Sequence, residues 1–247
     1  MRSRLLALLV LFSLLPFLTG ATIVIRGPRA PAAGGGSPSL IDSVATGGTA
    51  NTVTSGSINT TGANLLIVSV SWYPAGGADV TTVELSDSKG NTWTQLNLAG
   101  TIGVTFTANR LFYCYSGTVG TGHTFTVTET GSYPAIAVMA FSNAASSPLD
   151  QQSQAETPLV TTVQPGSITA TQADAILVTS CAWDVDTTTA SVNLSFTGTV
   201  SVAATSGNHV GGGLAYRIDT SATATNPTWT KTGGISSMSA SVASFKY

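Results

Sequence analysis

The second half of this 247-residue chain repeats motifs of the first half in the same order. The repeated pairs are GSINTTGANLLIVS at 56–69 with GSITATQADAILVT at 166–179, LFY at 111–113 with LAY at 214–216, and AVMAF at 137–141 with SVASF at 241–245. The two copies of the first motif lie slightly farther apart along the chain than the two copies of each later motif. The difference is only a few residues, so the two repeats have nearly the same length between these motifs. Three pairs in one order predict a duplicated unit of about 100 residues, the size of a small domain.

Between these motifs the chain shows strand signals, and no helical periodicity beyond its N-terminal segment. Short runs of Val, Ile, Thr and Leu alternate with Gly, Asn, Asp and Ser, which is typical of strands joined by tight turns. We therefore predict an all-β fold of tandem antiparallel β-sandwich repeats, Ig-like or jelly-roll, at 39–147 and 148–247. The repeats form either two domains or one merged two-sheet body.

Matched positions in the two repeats indicate which strand residues are buried. Alternate residues of a strand point to the same face, so an apolar set kept in both repeats is a candidate core. When 56–69 is aligned with 166–179 without a gap, Leu66 corresponds to Ile176 and Val68 to Val178. The predicted core residues are Leu66, Val68, Leu111, Tyr113, Ile176, Val178, Leu214 and Tyr216.

The composition excludes one large class of function. Charged residues make up 8% of the chain, against about 25% in an ordinary soluble domain. The net charge is −2 and there is no basic run, so binding of nucleic acid through phosphate neutralisation is not expected. Thr, Ser, Asn and Gly supply the polar surface instead.

Residues 1–21 have the pattern of a cleaved export signal. Arg2 and Arg4 precede an apolar stretch at 5–18, and small residues follow at 19–21. A spanning helix needs about 20 apolar residues, so we predict cleavage near the end of this segment, a secreted or cell-surface location, and no stable membrane span afterwards. A retained anchor is the alternative.

The segment 22–38 has two parts. TIVIR at 22–26 is β-prone, and GPRAPAAGGGSP at 27–38 has the Gly and Pro content of a linker. The β-prone part is interpreted as the tail of the signal region. The alternative is a strand that adds to a sheet edge of this or a neighbouring molecule, which would give self-association.

Several strings resemble a known kind of module. They are SDSKGNTWT at 86–94, with the form of a tight turn before a strand, LFY at 111–113, NPTWT at 226–230 and SFK at 244–246. Together they resemble a module that recurs in secreted bacterial and phage-associated β-sandwich proteins, and the resemblance covers about residues 40–247. It implies a secreted binding or surface module, and it carries over no active site.

Candidate catalytic groups are few. The chain has two histidines, His123 and His209, and eleven acidic residues, with no Gly-x-Ser-x-Gly or His-Glu-x-x-His motif. Both histidines follow glycine-containing turns, and we expect them to be exposed. Glu84 and Glu129 are interpreted as outward-facing strand residues rather than as the paired acids of a glycosidase. The prediction is that the protein is not an enzyme, with a secreted hydrolase as the third alternative.

Metal ligands and cysteines give weak signals. Asp184 and Asp186 lie two residues apart in a predicted loop, and two such carboxylates could bind a calcium ion. A solvated loop without a metal is the preferred interpretation. No other cofactor is indicated. Cys114 and Cys181 lie in strands of different repeats; a disulfide between them is possible in an exported protein, but two separate half-buried thiols are preferred.

Three aromatic residues are candidates for ligand stacking. Tyr73, Trp183 and Trp93 lie near strand ends, where a ring offers a flat apolar face to a sugar; the alternative is that they cap the core. Tyr73 and Trp183 are equivalent when the same gap-free alignment is continued. We expect a non-enzymatic structural or adhesive surface module, which could be a subunit of an extracellular assembly. The alternative is a carbohydrate-binding module with cell-surface glycans as partners.

Overall fold

A computed structural model describes residues 36–74, 83–100, 107–129, 133–184, 189–203 and 210–247. The predicted signal peptide and the β-prone part of the segment 22–38 lie outside these ranges. Residues Pro31–Tyr247 cluster into one compact unit, so the two halves of the strand-bearing chain belong to the same body.

Strands account for all of the regular structure in the described residues, which confirms the predicted all-β fold. In chain order they are β1 (Ser39–Gly47), β2 (Thr52–Thr54), β3 (Leu65–Trp72), β4 (Glu84–Asp87), β5 (Thr94–Ala99), β6 (Ala108–Tyr115), β7 (Phe125–Thr128), β8 (Ala135–Ser142), β9 (Leu149–Val160), β10 (Thr162–Val163), β11 (Ala175–Asp184), β12 (Ala190–Val192), β13 (Thr197–Ala203), β14 (Val210–Asp219), β15 (Trp229–Lys231) and β16 (Ser236–Phe245). Within this part of the chain, no helix has the length and hydropathy needed to cross a membrane.

The strands form four antiparallel sheets. The first half contains a five-stranded sheet, β1-β8-β3-β6-β5, and a three-stranded sheet, β2-β7-β4. The second half contains a five-stranded sheet, β9-β16-β11-β14-β13, and a three-stranded sheet, β10-β15-β12. Strand for strand, the order in β9–β16 is the order in β1–β8. This is the arrangement expected of two similar repeats, and their origin by duplication stays a prediction.

Three buried clusters hold the sheets in four layers. One lies between the two sheets of the first half and includes Val68 and Val127. A second occupies the same place in the second half and includes Trp183 and Trp229. The third, which we call the central cluster, joins the two five-stranded sheets face to face. The halves are therefore one body of four sheets rather than the two-sheet body of the merged alternative.

The middle strands of the five-stranded sheets are covered on both faces. Every residue of β3 (LLIVSVSW) and of β16 (SSMSASVASF) is buried. Strands buried on both sides read as continuous runs of apolar and small residues, because neither face meets water. The alternation that normally separates an inner from an outer face is therefore weak in these strands.

The second half carries one extra residue before its central strand. Ile58 and Ile168 correspond, since each forms an isolated bridge at the same place in its half. Further on, Ile67 and Val178 correspond, since each pairs with the tyrosine of the LFY or LAY motif. The chain from Ile168 to Val178 is one residue longer than the chain from Ile58 to Ile67, so the gap-free alignment of the repeats fails within β3 and β11.

This extra residue corrects the predicted faces. Leu66 and Val68 lie in the core of the first half, whereas Ile176 and Val178 lie in the central cluster. All four are buried as predicted, but they are not counterparts on one face. A shift of one residue turns every side chain of a strand to the opposite face.

Reciprocal aromatic contacts cross the central layer. Tyr113 of the first half packs edge-on against Phe245 of the second, with ring centroids 5.5 Å apart. Tyr216 of the second half packs in the same way against Phe141 of the first, at 5.2 Å. Both tyrosines, predicted to be buried, are half-buried at the margin of the central cluster.

The other end of the central layer is polar. The side-chain amide of Asn109 donates to the hydroxyls of Ser69 and Ser71, both at 3.1 Å, and its Oδ1 accepts a hydrogen bond of 2.6 Å from Ser180 of the opposite sheet. A Cβ at Gly212 would lie 2.8 Å from the hydroxyl oxygen of Ser71. Glycine thus lets the two sheets approach closely enough for this buried network to close.

Val68→Ala and Val178→Ala test the burial assignment in two different layers. Each change removes two methyl groups from a site with no exposed surface, and each should lower the free energy of unfolding by about 1–3 kcal/mol. Leu159→Ala, at a side chain that is 70% exposed, is the control and should change it by less than about 0.5 kcal/mol. Equal denaturant midpoints for all three variants would contradict the assignment.

Candidate functional site

The turn after β4 is built around one carboxylate. Asp87 Oδ1 accepts a hydrogen bond of 2.8 Å from the backbone N–H of Lys89, and Oδ2 accepts one of 2.9 Å from the indole Nε1 of Trp93. Gly90 has φ of 74°, a conformation that favours glycine. The DSKGNTW motif thus forms the predicted tight turn, and Asp87 fixes the position of the ring that follows it.

Behind this turn lies a buried histidine. His123 Nε2 is 3.0 Å from Asp87 Oδ1, and Nδ1 is 2.9 Å from the hydroxyl of Thr60. The ring stacks on Phe125 with centroids 4.3 Å apart. Because a carboxylate only accepts hydrogen bonds, we assign the proton to Nε2, so that Nδ1 accepts from Thr60. The prediction that this histidine is exposed is wrong, since no part of it is exposed. His209 lies outside the described residues.

Hydroxyl, imidazole and carboxylate follow one another here in the order used by hydrolase triads. Thr60, however, has no exposed surface, and its oxygen accepts a further hydrogen bond of 2.9 Å from the backbone of Gly120. A nucleophile must reach its substrate, and this hydroxyl does not. In this structure the chain from Thr60 through His123 to Asp87 is a support for the turn.

A second set of contacts closes the turn from the other side. Asn91 Oδ1 accepts from the backbone N–H of Thr118 at 2.6 Å, and its amide donates to the Thr118 carbonyl at 3.0 Å. A Cβ at Gly117 would lie 2.6 Å from both Asn91 Oδ1 and Cys114 Sγ. The turn is therefore clamped against the loop after β6, with glycine required at the contact.

An open groove lies beside this turn, between the edge strands β4 and β5. Its volume is about 550 Å³, within the range of roughly 300–1,000 Å³ that is usual for small-ligand sites. We call it the β4–β5 groove, and its lining residues are Val83, Glu84, Leu85, Ser86, Asn91, Thr92, Trp93, Gln95, Phe112 and Thr128.

Trp93 is the aromatic residue of the groove that is partly accessible to a ligand. Its ring is half-buried and meets Phe125 edge-on, with centroids 5.9 Å apart. With one edge against the core and Nε1 bound to Asp87, the indole is held in one orientation. Trp93 is thus the one of the three predicted stacking residues that the structure places in a groove.

Two polar side chains complete the groove. Gln95 is exposed, and its Oε1 accepts a hydrogen bond of 2.6 Å from Nη1 of the buried Arg110. This contact orients the amide so that its NH₂ is left to donate, and within the described residues that NH₂ makes no hydrogen bond. Glu84 is exposed and supplies a carboxylate acceptor. A ring, a donor and an acceptor therefore share one groove.

The described residues of the second half hold no copy of this arrangement. At the place of Trp93, immediately before Thr197, stands Phe196, which is buried, and the guanidinium of Arg217 lies 5.3 Å from its ring centroid. At the place of His123, in the isolated bridge to Ile168, stands Thr225. The groove site belongs to the first half.

The other two stacking candidates lie elsewhere. Trp183 has no exposed surface and packs in the core of the second half, so it presents no face to a ligand. Its equivalent in the first half is Trp72, also fully buried, and not Tyr73. Tyr73 is half-buried; burial and the charge of Asp184 raise the pKa of its phenol.

The predicted calcium residues are only partly described. Asp184 is the last residue of β11, and its charge acts on Tyr73 and on Lys231. Burial lowers the pKa of Lys231, and the charge of Asp184 opposes part of that shift. Asp186 lies outside the described residues. Within the ranges that the structure describes, no three His, Cys, Asp or Glu side chains are grouped closely enough to hold a metal ion.

The two cysteines are free thiols in different layers. Cys114 lies in the core of the first half and Cys181 in that of the second, with the central layer between them. The possible disulfide is therefore not formed, and both thiols are more deeply buried than the preferred alternative expected. Burial raises the pKa of both, and the charge of Asp87 raises that of Cys114 further.

Comparison of the chain with protein-family models, with the curated proteins and with the solved structures found no match. What stands of the resemblance noted above is the β-sandwich architecture, which the four antiparallel sheets show directly. Membership of a secreted or phage-associated group stays a prediction.

Glu129 predicts a pH-dependent stability. The interpretation of this residue as outward-facing is wrong, since it is 3% exposed, and burial raises the pKa of its carboxyl. A raised pKa in the folded state means that stability is fully present below the unfolded pKa of about 4.3 and declines as the pH rises through the folded pKa. Glu129→Gln lacks this decline, so the variant should gain stability relative to the natural protein between pH 3.5 and pH 8. A constant difference in urea midpoints across that range would contradict the prediction.

Proposed function

We propose that the protein is a non-enzymatic adhesive module of an extracellular surface, and that its ligand lies in the β4–β5 groove. The observation that carries the proposal is the half-buried indole of Trp93 in that groove, held from behind by Asp87. An aromatic ring fixed before binding loses little conformational entropy when a ligand packs on it.

The surroundings of the groove support a binding role. The turn that carries Trp93 is clamped by Asp87 on one side and by Asn91 on the other. Such rigid support preorganises a site, because its side chains already occupy the geometry that a ligand needs. The export signal predicted at 1–21 supports the extracellular location.

Binding of the full chain to immobilised polymers tests this proposal. Three classes serve as probes: neutral polysaccharides, acidic polysaccharides and extended peptides. We expect retention on at least one class, a loss of at least tenfold in affinity for Trp93→Ala, and no change for Leu159→Ala, which alters an exposed apolar residue of the second half. Retention that is equal for the three proteins on every class would reject the proposal.

A further inference from the structure

The lining of the β4–β5 groove identifies the class of ligand. We infer that the ligand is a neutral polysaccharide, with one sugar ring stacked on Trp93 and its hydroxyls bonded to Gln95 and Glu84. This inference rests on the proposed function of the groove. It follows from the chemistry of the lining, from its charge and from the shape of the site.

The exposed lining consists mainly of hydroxyl and amide side chains. Uncharged polar residues that line the groove are Ser86, Asn91, Thr92, Gln95 and Thr128. Val83 and Phe112 are buried and form its floor, which leaves Trp93 and Leu85 as the apolar surface that a ligand can touch. A sugar presents the matching surface, because its hydroxyls lie at the rim of the ring and its C–H groups on the faces.

The polar groups of Gln95 and Glu84 complement a hydroxyl. A hydroxyl both donates and accepts, so it can accept from the Gln95 amide and donate to the Glu84 carboxylate. Arg110 orients this amide by donating to its carbonyl oxygen at 2.6 Å, which leaves the NH₂ group to donate to a ligand. A hydrogen bond to a charged carboxylate is the stronger kind, so Glu84 adds affinity as well as orientation.

The charge of the groove selects against anionic ligands. Glu84 is the single charged residue in its lining. A uronic acid or a sulfated sugar would place a like charge beside this carboxylate, which disfavours it. The low charge of the whole chain is in keeping with a neutral ligand, since its sequence contains no basic run that would attract an anionic polymer.

The shape of the groove favours a chain over a single enclosed sugar. The site is open rather than closed over, so a polymer can continue beyond it. An extended peptide is the competing occupant, because β4 has a strand partner on one side only within the described residues. Recognition by strand addition depends on pockets for alternate side chains, and a lining of hydroxyls and amides around one indole does not supply them.

Affinity electrophoresis of the full chain in gels containing one soluble polysaccharide tests this inference. The probes are hydroxyethyl cellulose, laminarin, galactomannan and dextran as neutral polymers, with alginate and polygalacturonate as acidic ones. We expect retardation by at least one neutral polymer and by neither acidic one. Trp93→Ala should weaken the interaction at least tenfold and Gln95→Ala about three- to tenfold, the effect of one hydrogen bond.

Two further variants keep the result interpretable. Trp93→Phe retains an aromatic face and should keep part of the affinity even if Trp93→Ala fails to fold, and Leu159→Ala should match the natural protein. The inference is overturned if no neutral polymer retards the protein in a way that depends on Trp93. If an acidic polymer or an immobilised extended peptide then binds in a Trp93-dependent way, the groove function stands and the ligand class is wrong. If no probe does, both fail.

Discussion

Gly211→Ala should destabilise the protein by about 3 kcal/mol or more, the upper end of the usual effect of overpacking. A Cβ at this position of β14 would overlap the indole of Trp183, which is completely buried and has no room to move. Gly213 is in the same situation, since its Cβ would lie 2.8 Å from Trp229. Thermal unfolding of the purified variant measures the effect.

A double-mutant cycle identifies the cause. Phenylalanine at position 183 lacks the indole atoms that a Cβ at 211 would meet, so Trp183→Phe should cost less in the Gly211→Ala background than in the natural chain. Gly234→Ala is the matched control, because a Cβ there meets nothing within 4 Å. Additive effects in the cycle would show that the close approach of Gly211 to Trp183 is not responsible.

Asp87→Ala should cost about 2–5 kcal/mol, since each buried donor that loses its acceptor costs about 1–3 kcal/mol. The change leaves His123 Nε2 and the indole N–H of Trp93 without their acceptor, and it releases the turn at Lys89. In the native state that survives, the ring of Trp93 should be mobile and ligand affinity should fall even though Asp87 does not line the groove.

Tryptophan fluorescence distinguishes the loss of stability from the increased mobility of the Trp93 ring. The chain has four tryptophans, and three of them have no exposed surface, so quenching by acrylamide in the folded protein reports on Trp93. Quenching should rise in Asp87→Ala. Asp150→Ala is the control, because Asp150 also accepts hydrogen bonds, from Thr171 and Ser244, but near the surface, and its removal should cost about 1 kcal/mol. Equal stabilities for the two variants would contradict the buried role of Asp87.

The strand content, the similarity of the halves and most of the core could be predicted, because they depend on local composition. The facing of β11 could not. Trp72 and Trp183 are equivalent, but the single extra residue between Ile168 and Ile176 is invisible where both faces of a strand are apolar. A one-residue shift between two aligned strands can be detected only when one face of each strand is polar. In the stacked sheets both faces of these strands are buried, so that polar face is missing.

The site could be predicted only in part. The turn at 87–93 is formed by residues close together in the sequence, so its glycine and asparagine were enough to predict it. His123 is 36 residues from Asp87 along the chain, and only the pairing of β7 with β4 brings them together. Gln95 carries no signal of its own, since its role depends on Arg110 of the neighbouring strand. Contacts made across strands are set by register, which a single sequence specifies weakly.

The central cluster also places a demand on synthesis. The first half leaves the ribosome before the second exists, and at roughly 5–20 residues per second the remaining hundred residues take about 5–20 s. For that interval the sheet face that bears Ile67 and Met139 has no cover. The sheet that finally covers this face has the same strand order as the sheet that bears it. Two nascent first halves can therefore associate through these faces in place of the missing second half. Chaperoning during synthesis would therefore matter more for this chain than for one whose halves fold independently.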